Sequence, residues 1–216
     1  MSRKLYVTLE KFILVVVIAS LMYWGLPLST FSSSSLTMLS ISDGQVLVLK
    51  AGTATWISGK VGMTLEAGDS IKTDDSSNAT ITFFDGSTIE LRAGTVLDIV
   101  TLKSGTVGDS STIIKLKQGI GNTISRITKL ADPASSYEVE TPSGVGVVRG
   151  SIMIVTVDNS QYTIVGNFEG DVCFRAAGRT VCPGPGYQTS ANQNQPPSAP
   201  VPLSSFLSGL ARGAYK

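Results

Sequence analysis

The sequence predicts an all-β domain exported behind one N-terminal membrane helix. Three observations lead there. Short runs of alternating apolar and polar residues recur every 8–12 residues or so between Gly, Asp and Asn turn signals. No convincing amphipathic helix interrupts them before the C-terminus. One long apolar run stands at the front, behind basic residues.

The front comes first in the chain. Arg3, Lys4 and Lys11 precede "FILVVVIASLMYWGLPLSTF", Phe12 to Phe31, and no charged residue occurs between Lys11 and Asp43. A bilayer core takes about 20 apolar residues. Tyr23 and Trp24 stand near the far end of the run, where aromatic rings favour the interface. The positive-inside rule then makes residues 1–11 a cytoplasmic tail, 12–31 a transmembrane anchor, and the rest extracytoplasmic. The rival reading is a cleaved signal peptide. The run exceeds the usual h-region and no A-x-A-like site follows, although the Ser-rich "STFSSSS" could be cut. Either way the remainder is exported. Residues 32–42 read as a Ser-rich tether.

Residues 43–188 have the length of one domain. After position 42 the chain carries 14 basic and 15 acidic residues. That balance lacks the electrostatic footprint of nucleic-acid binding. "NATITFFDGSTIELRAG" is the clearest unit: Ala79, Ile81 and Phe83 alternate, Asp85-Gly86 turns, and Ile89 and Leu91 alternate back. "NTISRITKLADPASS" fits helix and strand equally, with Ile120, Ile124, Ile127 and Leu130 at helical spacing. The alternation changes phase near Ile154-Val155, which suggests a β-bulge. The ensemble fits a sandwich, a barrel or a short solenoid-like wrap. Residues 189–202, rich in Pro, Gln and Asn, read as a disordered linker. Residues 203–216 read as a short amphipathic helix with Leu203, Phe206, Leu207 and Leu210 on one side.

The only two cysteines lie in "DVCFRAAGRTVC". A two-residue turn on Ala177-Gly178 sets Phe174 opposite Val181 and Cys173 opposite Cys182. On that count the cysteines form a non-hydrogen-bonded pair, where side chains lie closest. A cross-strand disulfide follows in an oxidising compartment. With no histidine in the chain and two thiols so engaged, neither a metal nor another cofactor is implied.

An enzyme of this composition would have to use carboxylates. Asp69, Asp85 and Asp171 sit beside Gly or in Gly-containing turns, where Asp bonds nearby backbone N–H groups. Glu138 and Glu140 lie two apart on one strand face, which reads as a solvated face. The expectation is therefore a non-enzymatic module. Arg149 is the odd residue, a charge beside Gly150 in an apolar run. It is expected to be mostly buried and to fork onto Glu138, Glu140 or Glu169, or onto backbone carbonyls.

Together these residues resemble the FecR-domain family. Gly68-Asp69, Ile71, Thr73, Asp85-Gly86-Ser87, Leu91, Thr95 and Leu97 fall on its front half. Thr141-Pro142, Val148-Arg149-Gly150 and Glu169-Gly170 fall on its rear half, with Ser151 where Thr is usual and Met153 where Phe is usual. The resemblance implies a bacterial, cell-envelope location and a protein or envelope partner. Well-known members relay an iron-siderophore signal through a cytoplasmic anti-sigma region. Only Met1 to Lys11 precedes the apolar run here, so that role is not carried over. The expected function is a membrane-anchored binding or scaffolding module. The alternative is a signal-relay component working with a separate transmembrane partner.

Overall fold

The computed structural model describes residues 36–105 and 110–213. Its spine is a 14-residue strand, β8 (Ile113–Arg126), that serves two sheets. The first half of β8 pairs with β7 (Val96–Lys103) and, in parallel, with β9 (Ser136–Thr141). The second half pairs with β6 (Thr88–Leu91) and β11 (Ile152–Val157). The handover falls around Gly121, which takes a φ of +100°. A Cβ there would come within 2.5 Å of the Thr95 Cα. Glycine is what lets one strand change sheets at this point.

The first sheet runs β1 (Met38–Asp43), β5 (Asn78–Thr82), β6, β8, β11, β12 (Thr163–Glu169), β15 (Tyr187–Ala191) and β16 (Val201–Pro202). The second runs β3 (Trp56–Ser58), β2 (Val46–Leu49), β4 (Ser70–Thr73), β7, β8, β9, β10 (Gly144–Val148), β13 (Val172–Ala176) and β14 (Arg179–Val181). One apolar core lies between them. Leu39, Ile81, Ile89, Leu91 and Val155 enter it from the first sheet, and Val48, Ile71, Leu97, Val139 and Phe174 from the second. Phe83 and Tyr137 meet edge to face with centroids 6.0 Å apart. The Tyr137 hydroxyl also lies 3.0 Å from the Ser125 hydroxyl, tying one sheet to the other. Of the architectures that the sequence allows, this is the two-sheet sandwich, and no barrel closes.

The clearest sequence unit folds as read. β5 and β6 form a hairpin with Ala79 opposite Leu91 and Ile81 opposite Ile89, all buried. The ambiguous 120–130 stretch is strand as far as Arg126, because it completes the first sheet rather than covering one.

Four expectations are corrected. The tether was expected to reach residue 42, yet β1 begins at Met38, and Thr37 and Leu39 are buried. Its Ser content hides the alternation of Thr37, Leu39 and Ile41. The bulge lies at Ile152/Met153, where Ile152 pairs with Glu169 and Met153 with Asn167. The apparent phase change at Ile154 has a different cause: β11 is covered on both faces. Met153 and Val155 face the sandwich core, while Ile154 packs against Leu207 and Ala211 of helix α1 (Ser205–Gly213). Residues 189–202 are structured rather than disordered. The Ser198 N–H donates to the Ser190 carbonyl at 2.8 Å, and Thr189 and Ala191 are buried. Polar composition there conceals an edge strand and its return. Phe206, counted on the apolar side of the helix, is exposed, and Ala211 takes its place. Residues 1–31, with the expected tail and anchor, lie outside the described residues. Among the described residues no helix is long and apolar enough to cross a membrane.

Candidate functional site

The motif residues separate into turns, and three of these turns meet at one end of the first sheet. Along that end Thr88, Arg126, Ile152 and Glu169 are successive cross-strand partners on β6, β8, β11 and β12. They rim a shallow cleft of about 310 Å³ together with Gly86, Thr128, Gly150 and Ser151. Residues from 86 to 169 are thus brought together by the pairing of four strands.

Each turn is fastened by its own side chains. The Asp85 carboxylate accepts the Ser87 N–H at 3.0 Å and the Ser87 hydroxyl at 2.8 Å, while Gly86 takes a φ of +83°. The Thr128 N–H donates to the Ser87 hydroxyl oxygen at 3.1 Å, which ties this turn to the chain leaving β8. Gly150 takes a φ of +72°, and a Cβ there would stand 2.7 Å from the Lys129 Cα. Gly170, after Glu169, packs so that a Cβ would meet Ser151. The Ser151 hydroxyl donates to the Glu169 carbonyl. These are closing contacts of a fold, and they engage the Asp85 carboxylate and the Ser87 and Ser151 hydroxyls of the motif.

The remaining motif residues lie elsewhere. Asp69 is fully buried and accepts the Ala51 N–H at 2.8 Å, the Glu66 N–H at 2.9 Å and the Lys50 ammonium. Gly68 before it leaves the space that Ala51 fills. Thr141, ahead of Pro142, closes the β9–β10 turn. Its hydroxyl donates to the Gly144 carbonyl at 3.0 Å and accepts the Gly144 N–H at 3.2 Å.

Arg149 is exposed where it was expected mostly buried, and of its expected partners it takes the backbone carbonyls rather than a carboxylate. β10 ends at Val148, so Arg149-Gly150 is a surface turn between the sheets rather than strand interior. The side chain is exposed. One guanidinium nitrogen donates to the carbonyls of Pro133 and Ser135, the latter at 2.9 Å. Two of the carboxylates proposed for it, Glu138 and Glu140, face other cations. Glu138 pairs with Lys115 at 3.5 Å and Arg175 at 3.4 Å, and Glu140 approaches Lys117 at 4.0 Å. This ladder on the outer face of the second sheet is the solvated face expected for the two glutamates.

Among the described residues no group of three or more His, Cys, Asp or Glu is placed to hold a metal. Burial pushes the Tyr137 phenol well above its ordinary range, which suits a neutral hydroxyl anchored to Ser125.

The cysteine hairpin has the expected register. Phe174 faces Val181, Arg175 faces Thr180 and Ala176 faces Arg179. Ala177 and Gly178 both take positive φ, at 44° and 75°, as a two-residue hairpin turn of this kind requires. Cys173 and Cys182 are joined by a disulfide with Cα atoms 4.0 Å apart.

Sequence reasoning missed three features. Lys50, just past the end of β2, completes the Asp69 site with a charge that looked ordinary in the sequence. Gln118 is buried and donates to the Gly121 carbonyl at 2.8 Å beside the β8 bend, with the two glycines that follow it, Gly119 and Gly121, as its only signal. Trp56, Ile57 and Val61 form an exposed apolar edge, 38%, 44% and 73% accessible.

The comparisons with known proteins agree with this geometry. The family model described as FecR protein matches residues 69–173. The matched stretch, a little under half of the chain, is similar to the FecR family. The match spans both sheets, from Asp69 to Cys173, and so includes the three turns at the cleft. Two crystal structures from Parabacteroides distasonis ATCC 8503, at 1.65 and 2.50 Å resolution, are similar in fold. Both are described as of a "putative anti-sigma factor". Each superposes with a TM-score of 0.53 at 17% identity over 67% of this chain. This chain covers 65% of one neighbour and 64% of the other, a little under two thirds of their length. No curated protein matches it.

Proposed function

We propose that this FecR-domain protein is a membrane-anchored, extracytoplasmic module that binds a protein or cell-envelope partner in a signalling role, without catalysing a reaction. The observation that carries the reading is the Cys173–Cys182 bridge. It spans a hairpin whose Cys182 is exposed, where a reducing cytosol would keep the thiols apart. The basic residues and apolar run of residues 3–31 supply the matching route out of the cytoplasm. A regulatory rather than catalytic role is supported by the motif carboxylates, since Asp69 and Asp85 are occupied by backbone N–H groups and hydroxyls. The sequence offers no histidine as a general base. The anti-sigma description of the structural neighbours favours signal relay, with the output supplied by a separate transmembrane partner, as the second reading.

The test is a full-length fusion to alkaline phosphatase at Lys216, expressed in a bacterium and washed with carbonate. An active, membrane-retained enzyme is expected. An inactive fusion that becomes fluorescent when the reporter is a cytoplasm-dependent fluorescent protein contradicts the topology. Active enzyme released by the wash shows a cleaved signal peptide instead.

A further inference from the structure

We propose that the sandwich edge bearing Leu36, Met38, Trp56, Ile57 and Val61 docks on the extracytoplasmic leaflet of the membrane. The domain then rests on lipid rather than swinging free of it. This rests on the anchored reading above and gives that reading a surface.

The edge is built from the outermost strand of each sheet. β1 closes the first sheet and β3 closes the second. The segment 59–65 is laced to the sheets beside both. The Gly59 N–H donates to the Val46 carbonyl at 2.8 Å, Gly62 to Leu39 at 2.8 Å, Leu39 to Met63 at 2.9 Å and Leu65 to Thr37 at 2.9 Å. With Thr37 and Leu39 turned inward, Leu36 and Met38 point out, 53% and 43% exposed. Trp56 and Ile57 lie on β3, which pairs with β2 alone. Among the described residues, nine large apolar side chains are exposed, and these five gather at one edge. Single exposed apolar residues are ordinary, whereas a group of them marks a contact surface.

The chain itself says which surface is near. Leu36 follows the apolar run ending at Phe31 by five residues. That length reaches about 17 Å when fully extended. A patch held so close to a bilayer meets it at high effective concentration, so a weak affinity suffices. The side chains suit the headgroup region. Trp56 is the aromatic type that favours the interface. Lys60, exposed beside Val61, can lay its stem along apolar surface and reach lipid phosphates. Asp43 and Glu66 are the exposed acidic groups on the same segments. Their presence makes apolar burial the driving force, and the docking is expected to be insensitive to salt.

The chain has two tryptophans, Trp24 and Trp56, so each can be watched alone. The full chain is reconstituted into vesicles of equal phosphatidylethanolamine and phosphatidylglycerol, with lipids brominated near the headgroup as quenchers. In a Trp24→Phe protein, Trp56 is expected to lose about half its emission to those lipids. Ile57→Glu with Val61→Glu should abolish that loss. Trp56 that is quenched by aqueous iodide and untouched by brominated lipid overturns the proposal. So does Trp56 shielded from both, which would assign the edge to a protein strand added to β3. A Trp56→Phe protein reports on Trp24 and tests the anchor separately. Lipid quenching of Trp24 without quenching of Trp56 leaves the anchor standing and refutes the docking, while an unquenched Trp24 refutes the anchor whatever Trp56 does.

Discussion

The two ends of this molecule use their side chains in opposite ways. At the cleft end, Asp85, Ser87, Gly150, Ser151 and Gly170 are bonded or packed to one another or to Thr128, Lys129 and Glu169, with Ser87 and Thr128 41 residues apart. At the β1–β3 edge, Trp56, Ile57 and Val61 have much of their surface in solvent. The residues that carry the family resemblance belong almost wholly to the first kind. The difference teaches that the motif of this domain is a record of how the chain closes its turns. A binding surface has to be sought where side chains are left over.

The sharpest way to break this comparison is one substitution at each end. Gly150→Ala forces an alanine to a φ of +72° and a Cβ against the Lys129 backbone. It should cost about 3 kcal/mol, read as a lower melting temperature. Ile57→Ser at the edge should stay within about 0.5 kcal/mol of the parent. Equal costs at the two sites would erase the distinction.

The disulfide comes next. It closes a short loop at separation 9, so replacing both cysteines by serine should destabilise by about 2–3 kcal/mol in thermal unfolding. No loss on reduction of the parent would show that the hairpin is held by its strand pairing alone.

Arg149 should matter less than the sequence suggests. Its contacts are two carbonyls at the surface, so Arg149→Met should cost about 1 kcal/mol. Lys in its place should recover part of this, because an ammonium can reach one carbonyl. A cost like that of Gly150→Ala would mean that the guanidinium is structural in the way first expected.

The smallest effect concerns acid. The Ser77 hydroxyl, with the Ser76 N–H at 2.9 Å, holds the Asp74 carboxyl below the usual range. The Ser160 hydroxyl does the same for Asp158. A carboxyl with a depressed folded pKa contributes stability above its unfolded value, and this is lost as pH falls through the folded value. The melting temperature should therefore begin to drop below pH about 4. Ser77→Ala should make the drop shallower, and an unchanged slope would remove Asp74 from the account.

The strands and hairpins were legible because their alternation is local. Ala79 to Leu91 and the Cys173–Cys182 register needed nothing beyond a turn and a period of two. The all-β class followed from the same signal repeated. The bend of β8 was not legible, since it depends on Thr95, just ahead of β7, filling the space beside Gly121. The place of Arg149 failed for a related reason: an apolar run with a charge in it reads as one strand, and the turn between sheets appears only when both sheets exist. The order in 189–202 escaped because serine and threonine bonds to backbone, such as the Thr189 hydroxyl to the Ser198 carbonyl at 2.7 Å, replace the apolar contacts that a pattern search looks for.

The division between closing turns and working edge is tested most directly by amide hydrogen exchange on the full chain in phosphatidylethanolamine–phosphatidylglycerol vesicles, resolved by peptide. Amides of 85–87, 150–151 and 169–171 should be as well protected as the central strands, in the parent and in Ile57→Glu with Val61→Glu alike. Amides of 56–63 should be protected in the parent and lose that protection in the double variant. Fast exchange at the three turns, together with an edge indifferent to the two glutamates, would contradict the account.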